Sequence, residues 1–406
     1  MPATEHLRNA LRSGIRRRVD VLWVSAALGA RLVPLSAIPV LVRCSSPGDA
    51  DWFALVQADA SVLAVILGFS NAALIQSADC DERAGRIALL SVVITSILSA
   101  GLLLVPMQFD RLEDRWAFSV LLGACLSLFP GAQAMARRSG RLGKAAMIDA
   151  LRSASFLAGL VVLALAGPVS PSSMVLLLGA YYALPVLFWL PAGTIRSEFG
   201  LGYREFRIGF RRMAILTASS LASVYAWMHI RYALAANSST GELSAFTAIL
   251  SIASVMALFG DLVIFRLGQR VLESARVRDL MGLRCVARRC GLAVVVLASL
   301  SSLLVAAYVF WQFPSNCWWF LAVGLLLVVG FVIRLCYTFV QQVLLGLARS
   351  EADFIGAVLM LGFSLATAGA LSARLDAVGA SIAFVGVATT FLAAVYFGAL
   401  RSWRCP

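Results

Sequence analysis

A chain of 406 residues that is 61% hydrophobic and only 14% charged, with mean hydropathy +0.88, is too apolar for a soluble globular protein, where about 45–50% and about 25% are usual. The surplus comes as long apolar runs split by short charged stretches, which leaves little room for a soluble catalytic domain. The formal charge of +13 reads as membrane sidedness and not as a nucleic-acid footprint, because the basic residues collect on one side of the predicted spans.

Arg16, Arg17 and Arg18 precede the first apolar run, predicted as a span over 21–42. That run is too long for the apolar part of a signal peptide, contains Pro34 and Pro39, and shows no clear small-residue cleavage site. Arg31 lies near its middle, where an arginine costs about 2.5–3.5 kcal/mol on insertion scales. The two prolines remove backbone donors and loosen the helix beyond it. Arg31 is therefore expected to meet an anionic substrate, or else a neighbouring acid.

The second span, 52–75, carries Gln57 and Asp59; Asp59 is expected to pair with Arg31 or to titrate as a coupling-ion site. Spans 87–107 and 116–136 follow, then 147–166, in which Asp149 and Arg152 are three apart and share a face. Next come 174–192 and 212–236, the latter with His229 and Arg231 toward its outer end as candidate exit-lining groups. The series closes with 244–266, 290–311, 318–340 (which contains Arg334), 352–372 and 379–400. At roughly 20 residues per span this makes about twelve. Helices are required, because backbone polar groups in hydrocarbon must be satisfied within their own segment; the alternation of a membrane barrel is absent.

Both tails and the connections 76–86, 137–146, 193–211, 266–289 and 341–351 hold most of the 34 basic residues. The opposite connections hold only Arg43, Arg111, Arg115, Arg231 and Arg374. Both termini are thus expected in the cytoplasm.

A shift of 193 residues reveals an internal repeat. Ser45-Ser46-Pro47-Gly48-Asp49 aligns with Ser238-Ser239-Thr240-Gly241-Glu242, Phe53 meets Phe246, and Ala60-Ser61-Val62 meets Ala253-Ser254-Val255. There are eight identities over the 24 positions 45–68. Six helices separate the copies, so both run the same way. Two parallel six-helix bundles are expected, 1–205 and 206–406, around a central cavity of the kind transporters place at the midplane.

Arg31, Arg152 and Arg334 against Asp59 and Asp149 leave the interior positive, and guanidinium forks suit phosphate and carboxylate. Asp49-Ala50-Asp51 resembles a metal-binding D-x-D, but its place in a short outer connection reads as turn chemistry. The cysteines form no C-x-x-C pair and no metal-ligand spacing; a disulfide between Cys44 and Cys317 stays open. No P-loop, HExxH or G-x-S-x-G is present. No cofactor, metal or enzymatic activity is expected.

Several stretches carry a family resemblance. Ile38-Pro39-Val40-Leu41-Val42-Arg43, Pro47-Gly48 and Trp52-Phe53-Ala54, with Gly68-Phe69, look like the L-P-x-x-x-R-x-L-G-P-x-x-Y-G segment and following glycine-aromatic of bacterial polysaccharide-exporter flippases. These are the Wzx-like branch of the multidrug/oligosaccharidyl-lipid/polysaccharide superfamily. Leu345-Gly346-Leu347-Ala348-Arg349 and Leu375-Asp376-Ala377-Val378-Gly379-Ala380-Ser381-Ile382-Ala383 resemble its stretches before span eleven and opening span twelve. Cys44-Ser45-Ser46 departs from the family turn, and Trp52 stands at its tyrosine position.

The resemblance implies an undecaprenyl-diphosphate-linked oligosaccharide as cargo, flipped from the cytoplasmic to the periplasmic leaflet of the inner membrane. Arg31, and with it Arg152 and Arg334, would receive the diphosphate. A polysaccharide polymerase or ligase is an expected partner, alongside membrane lipids; nucleic acid is not. The alternatives are an ion-coupled small-molecule exporter using Asp59, and a membrane O-antigen polymerase or ligase, which the short outer connections disfavour.

Overall fold

Each predicted apolar run that can be followed is a helix. The computed structural model describes residues 32–68, 81–107, 114–138, 142–167, 169–189, 199–347 and 351–404. Arg31, Arg16 to Arg18 and Phe69 lie outside the described residues. A 3-10 turn over Val33–Ser36 leads into α1 (Ala37–Cys44); then come α2 (Pro47–Gly68), α3 (Asp81–Met107), α4 (Asp114–Arg138), α5 (Leu142–Ala166) and α6 (Pro171–Trp189). The second half of the chain forms α7 (Phe199–Asn237), α8 (Glu242–Ala253), α9 (Val255–Arg276), α10 (Leu280–Gln312), α11 (Cys317–Gly346) and α12 (Glu351–Arg404). No strand occurs among the described residues.

Spans and helices do not map one to one. Helix α12 is two spans in one run, with non-helical backbone at Leu375 and at Asp376, where φ is 43°. The span predicted at 244–266 is divided between α8 and α9 at Ser254. The hydroxyls of Ser251 and Ser254 turn back onto Thr247 O at 2.8 Å and Ser251 O at 2.7 Å, a habit of serines that bends helices. In the described part of the first span, Pro34 falls in the 3-10 turn and Pro39 inside α1.

Nine helical stretches among the described residues are long and apolar enough to cross a membrane, and one of these, Ala352–Trp403, includes the break at Leu375 and Asp376. Helix α7 is not among them, because Thr217, Ser219, Ser220, Ser223, His229 and Arg231 interrupt its apolar sequence. Helix α10 shows the other extreme: Leu292, Val295 and Leu303 are 63–70% exposed, an apolar face suited to lipid. The molecule is an all-α, multi-pass membrane protein of about twelve transmembrane helices.

The chain divides into two compact units, residues 1–34 with 67–213 and residues 35–66 with 214–406. In the first, α4 packs against α3 and α6, and α6 against α5; the Thr95 hydroxyl donates to Leu67 O at 3.2 Å. In the second, α11 is the hub, packed against α8, α9, α10 and α12, while α1 lies on α8.

The two copies of the repeated turn meet within the second unit. Ser45 and Ser238 end their helices alike: each hydroxyl donates to the carbonyl four residues back, Leu41 or Leu234, at 2.6 Å. A Cβ built on Gly48 would lie 3.9 Å from the Thr240 methyl, and one on Gly241 would lie 3.2 Å from Pro47 Cβ. Because Pro47 corresponds to Thr240 and Gly48 to Gly241, these contacts are exchanged as across a local two-fold. Asp51 closes the arrangement: its carboxylate accepts from Gly241 N at 2.6 Å and Ser244 N at 2.7 Å. Ser244 is the repeat equivalent of Asp51 itself. The D-x-D is thus turn chemistry, with Asp49 held by the Ser46 hydroxyl at 2.7 Å and Asp51 capping α8. Cys44 and Cys317 are free thiols, so the disulfide left open by the sequence does not form.

Candidate functional site

The second unit contains a cavity of about 630 Å³. One face of α7 supplies Ser223, Trp227 and Arg231 at four-residue spacing, and one face of α11 supplies Phe331, Arg334, Thr338 and Gln341. Gln57 of α2 and Ser251 and Ser254 at the α8–α9 break add polar groups, while Phe384 and Phe391 of α12 complete the wall.

Charge is one-sided. Arg231 and Arg334 both line the cavity, and there is no carboxylate among the described residues that line it. Arg231 Nε is buried and has no hydrogen-bond partner among the described residues, a costly state for a charged donor that a bound acceptor would relieve. The Arg334 guanidinium lies 5.9 Å from the centre of the Phe331 ring, within cation–π range. The aromatic side is continuous: Trp227 stands 4.4 Å from Phe384, and Phe384 stands 5.2 Å from Phe331. Chemically, the cavity offers fixed positive charge, amide and hydroxyl groups, and flat apolar faces. It suits an anion joined to a body with both polar and apolar surfaces.

Of the six residues singled out from the sequence, the five that are described separate into three settings. Arg334, Arg231 and Gln57 come together in this cavity. Asp59, two residues beyond Gln57, accepts the Tyr232 hydroxyl at 2.7 Å and is absent from the cavity lining. Arg152 belongs to the first unit, 1% exposed, and pairs with Asp149 at 2.8 Å. The rings of Phe129 and Tyr181 lie 4.5 and 4.6 Å from its guanidinium carbon. It is enclosed and does not snorkel. Arg31 lies outside the described residues. His229 Nδ1 sits 3.3 Å from the Ser364 hydroxyl.

Sequence reasoning passed over Trp227, Ser251, Ser254, Thr338 and Gln341. A signal existed for three of them: Trp227 is one turn before Arg231, and Thr338 and Gln341 are one and two turns after Arg334, on the same face.

No family model matches the chain, and no curated protein matches its sequence. Solved structures do match, over almost the whole length. An inward-facing multidrug resistance MATE transporter of the MOP superfamily is 14% identical, covering 94% of this chain and 97% of its own, with TM-score 0.66. The lipid II flippase MurJ in an inward closed conformation is 11% identical, over 95% and 89%, with TM-score 0.69. A MOP superfamily transporter from Pyrococcus furiosus, described as having a binding pocket of reversed polarity, is 13% identical over 94% and 92%, with TM-score 0.55. At such identities the likeness is one of fold: the chain has the fold of these membrane transporters.

Proposed function

We propose that this protein is a flippase for a lipid-linked oligosaccharide, moving an undecaprenyl-diphosphate-linked glycan between the leaflets of a bacterial inner membrane. The observation that carries the reading is the cavity with Arg231 and Arg334 in its wall and no carboxylate among its described lining residues. A diphosphate satisfies two guanidinium groups, and glycan hydroxyls satisfy Gln57, Gln341 and the serines. Sugar rings have apolar faces that stack on indole and phenyl. Arg31 is proposed as a further cationic group along the path. The halves 1–205 and 206–406 are proposed as the rocking bodies of alternating access, with both termini cytoplasmic and a polymerase or ligase acting on the flipped product. The lipid II flippase among the matching folds supports the same class of cargo.

The test is complementation. Deleting the gene should remove a surface glycan and accumulate lipid-linked repeat units on the cytoplasmic side; wild type should restore export, and Arg334→Glu should not. Unchanged glycan would overturn the reading. The bond between Tyr232 and Asp59 favours examining one second reading, an ion-coupled exporter. There, Asp59→Asn would abolish gradient-driven export while surface glycan stayed normal.

A further inference from the structure

Helix α10 is longer than a membrane is thick. Its 33 residues span about 50 Å at about 1.5 Å per residue, against about 30 Å of hydrocarbon. Apart from Leu280 and Met281 in its first turn, its exposed large apolar residues run from Leu292 to Trp311, which is about the hydrocarbon thickness on its own. Trp311, Trp318 and Trp319, all exposed, mark one interface around the turn between α10 and α11. The opposite interface then falls just before Leu292, at Arg288 and Arg289.

The side chains there form a row. Arg284, Arg288, Leu292, Val296, Leu300 and Leu304 follow one another at four-residue spacing, so each neighbours the next along one ridge that winds across the exposed side of the helix. All six are exposed, the four apolar ones by 70%, 59%, 51% and 43% in order. The buried residues of α10, Val286, Cys290, Ser301, Val305 and Val309, lie off this ridge. No acidic residue occurs anywhere in α10. The nearest acid in sequence, Asp279, is engaged with Met281 N and Gly282 N at 3.0 Å each. The start of the row is held firmly, because Val271, Val286 and Cys290 pack together with Leu267, Leu283 and Phe339 beneath it.

We propose that this row is a docking lane for an anionic phospholipid of the arginine-rich leaflet. Its phosphate lies on Arg284 and Arg288, and an acyl chain runs along Leu292, Val296, Leu300 and Leu304. Two guanidinium groups one turn apart meet a headgroup whose tail must enter hydrocarbon where Leu292 begins; a free anion would leave the apolar part of the row unused. The lane does not line the cavity and stands independently of the cargo.

The experiment is native mass spectrometry of the full-length, detergent-solubilised protein titrated with phosphatidylglycerol, phosphatidylcholine or undecaprenyl phosphate. Wild type should retain phosphatidylglycerol in preference to phosphatidylcholine. The exposed double variant Arg284→Gln/Arg288→Gln should weaken that retention roughly 30-fold, at roughly fivefold per basic group near an anionic headgroup. Arg284→Lys/Arg288→Lys should keep most of it. Arg401→Gln, an exposed arginine off the row, should leave it unchanged, and the thermal melting of all variants should match wild type. Equal retention of the two phospholipids by wild type would overturn the proposal, as would an unaffected double Gln variant or an equal loss in Arg401→Gln. Retention of undecaprenyl phosphate but not phosphatidylglycerol through Arg284 and Arg288 would overturn it in favour of a cargo dock.

Discussion

Arg152 and Arg334 are both arginines in predicted spans, and their surroundings give them different work. Arg152 is enclosed, ion-paired to Asp149 at 2.8 Å and faced by two aromatic rings. Removing one member of such a pair strands the other charge in a low-dielectric interior, which costs about 3–5 kcal/mol. Arg152→Ala should therefore lower the melting temperature of the purified protein sharply, and the double variant Arg152→Leu/Asp149→Leu should recover most of the loss. A Tm for Arg152→Ala equal to wild type would show that the pair is not structural. Arg334 lines the cavity instead, so Arg334→Glu should leave Tm within a few degrees of wild type while abolishing transport. The sequence placed both residues in spans and put Asp149 on the face of Arg152. Spacing alone could not tell an enclosed arginine from a cavity arginine, because that depends on Phe129 and Tyr181, which come from other helices.

At the scale of elements, the repeat predicts more than a duplication. Its conserved turn, Ser-Ser-x-Gly-acid, is the place where the copies touch within the second unit. Gly241 has φ 98°, and a Cβ there would sit 3.2 Å from Pro47 Cβ. Gly241→Ala should therefore destabilise by about 1–2 kcal/mol from backbone strain alone. Asp51→Ala removes an acceptor from two N–H groups at the start of α8 and should cost about 1 kcal/mol, more than Asp49→Ala in the exposed partner turn. Both are read as midpoint shifts in thermal or denaturant unfolding; equal midpoints for Asp51→Ala and Asp49→Ala would contradict the capping role. The order of the helices was legible because apolar runs and loop charges are local signals, whereas their limits were not: the spans predicted at 212–236 and 290–311 are the longer helices Phe199–Asn237 and Leu280–Gln312. The division at Ser254 was not, since Ser254 keeps helical backbone angles inside a run that reads as continuously apolar. The prolines of the first span signalled a loosened helix, and Pro34 stands in a 3-10 turn.

For the whole molecule, composition defined a multi-pass membrane protein, and the fold is that of MATE and MurJ transporters. The cavity was only half legible. Arg231, Arg334 and Gln57 stood out as costly residues in apolar surroundings, whereas Trp227 did not, because an aromatic residue in a span is ordinary until its neighbours are known. The central claim is that the positive charge of this cavity carries an anionic lipid-linked cargo. The most direct measurement is flipping of an undecaprenyl-diphosphate-linked oligosaccharide in proteoliposomes, comparing wild type with Arg231→Glu/Arg334→Glu. The account predicts translocation by wild type and at least a hundredfold loss in the double variant, roughly tenfold per reversed charge from about 1.4 kcal/mol each, with thermal melting near that of wild type. Equal translocation by the two proteins, or none by wild type together with export of a small cation, would contradict it.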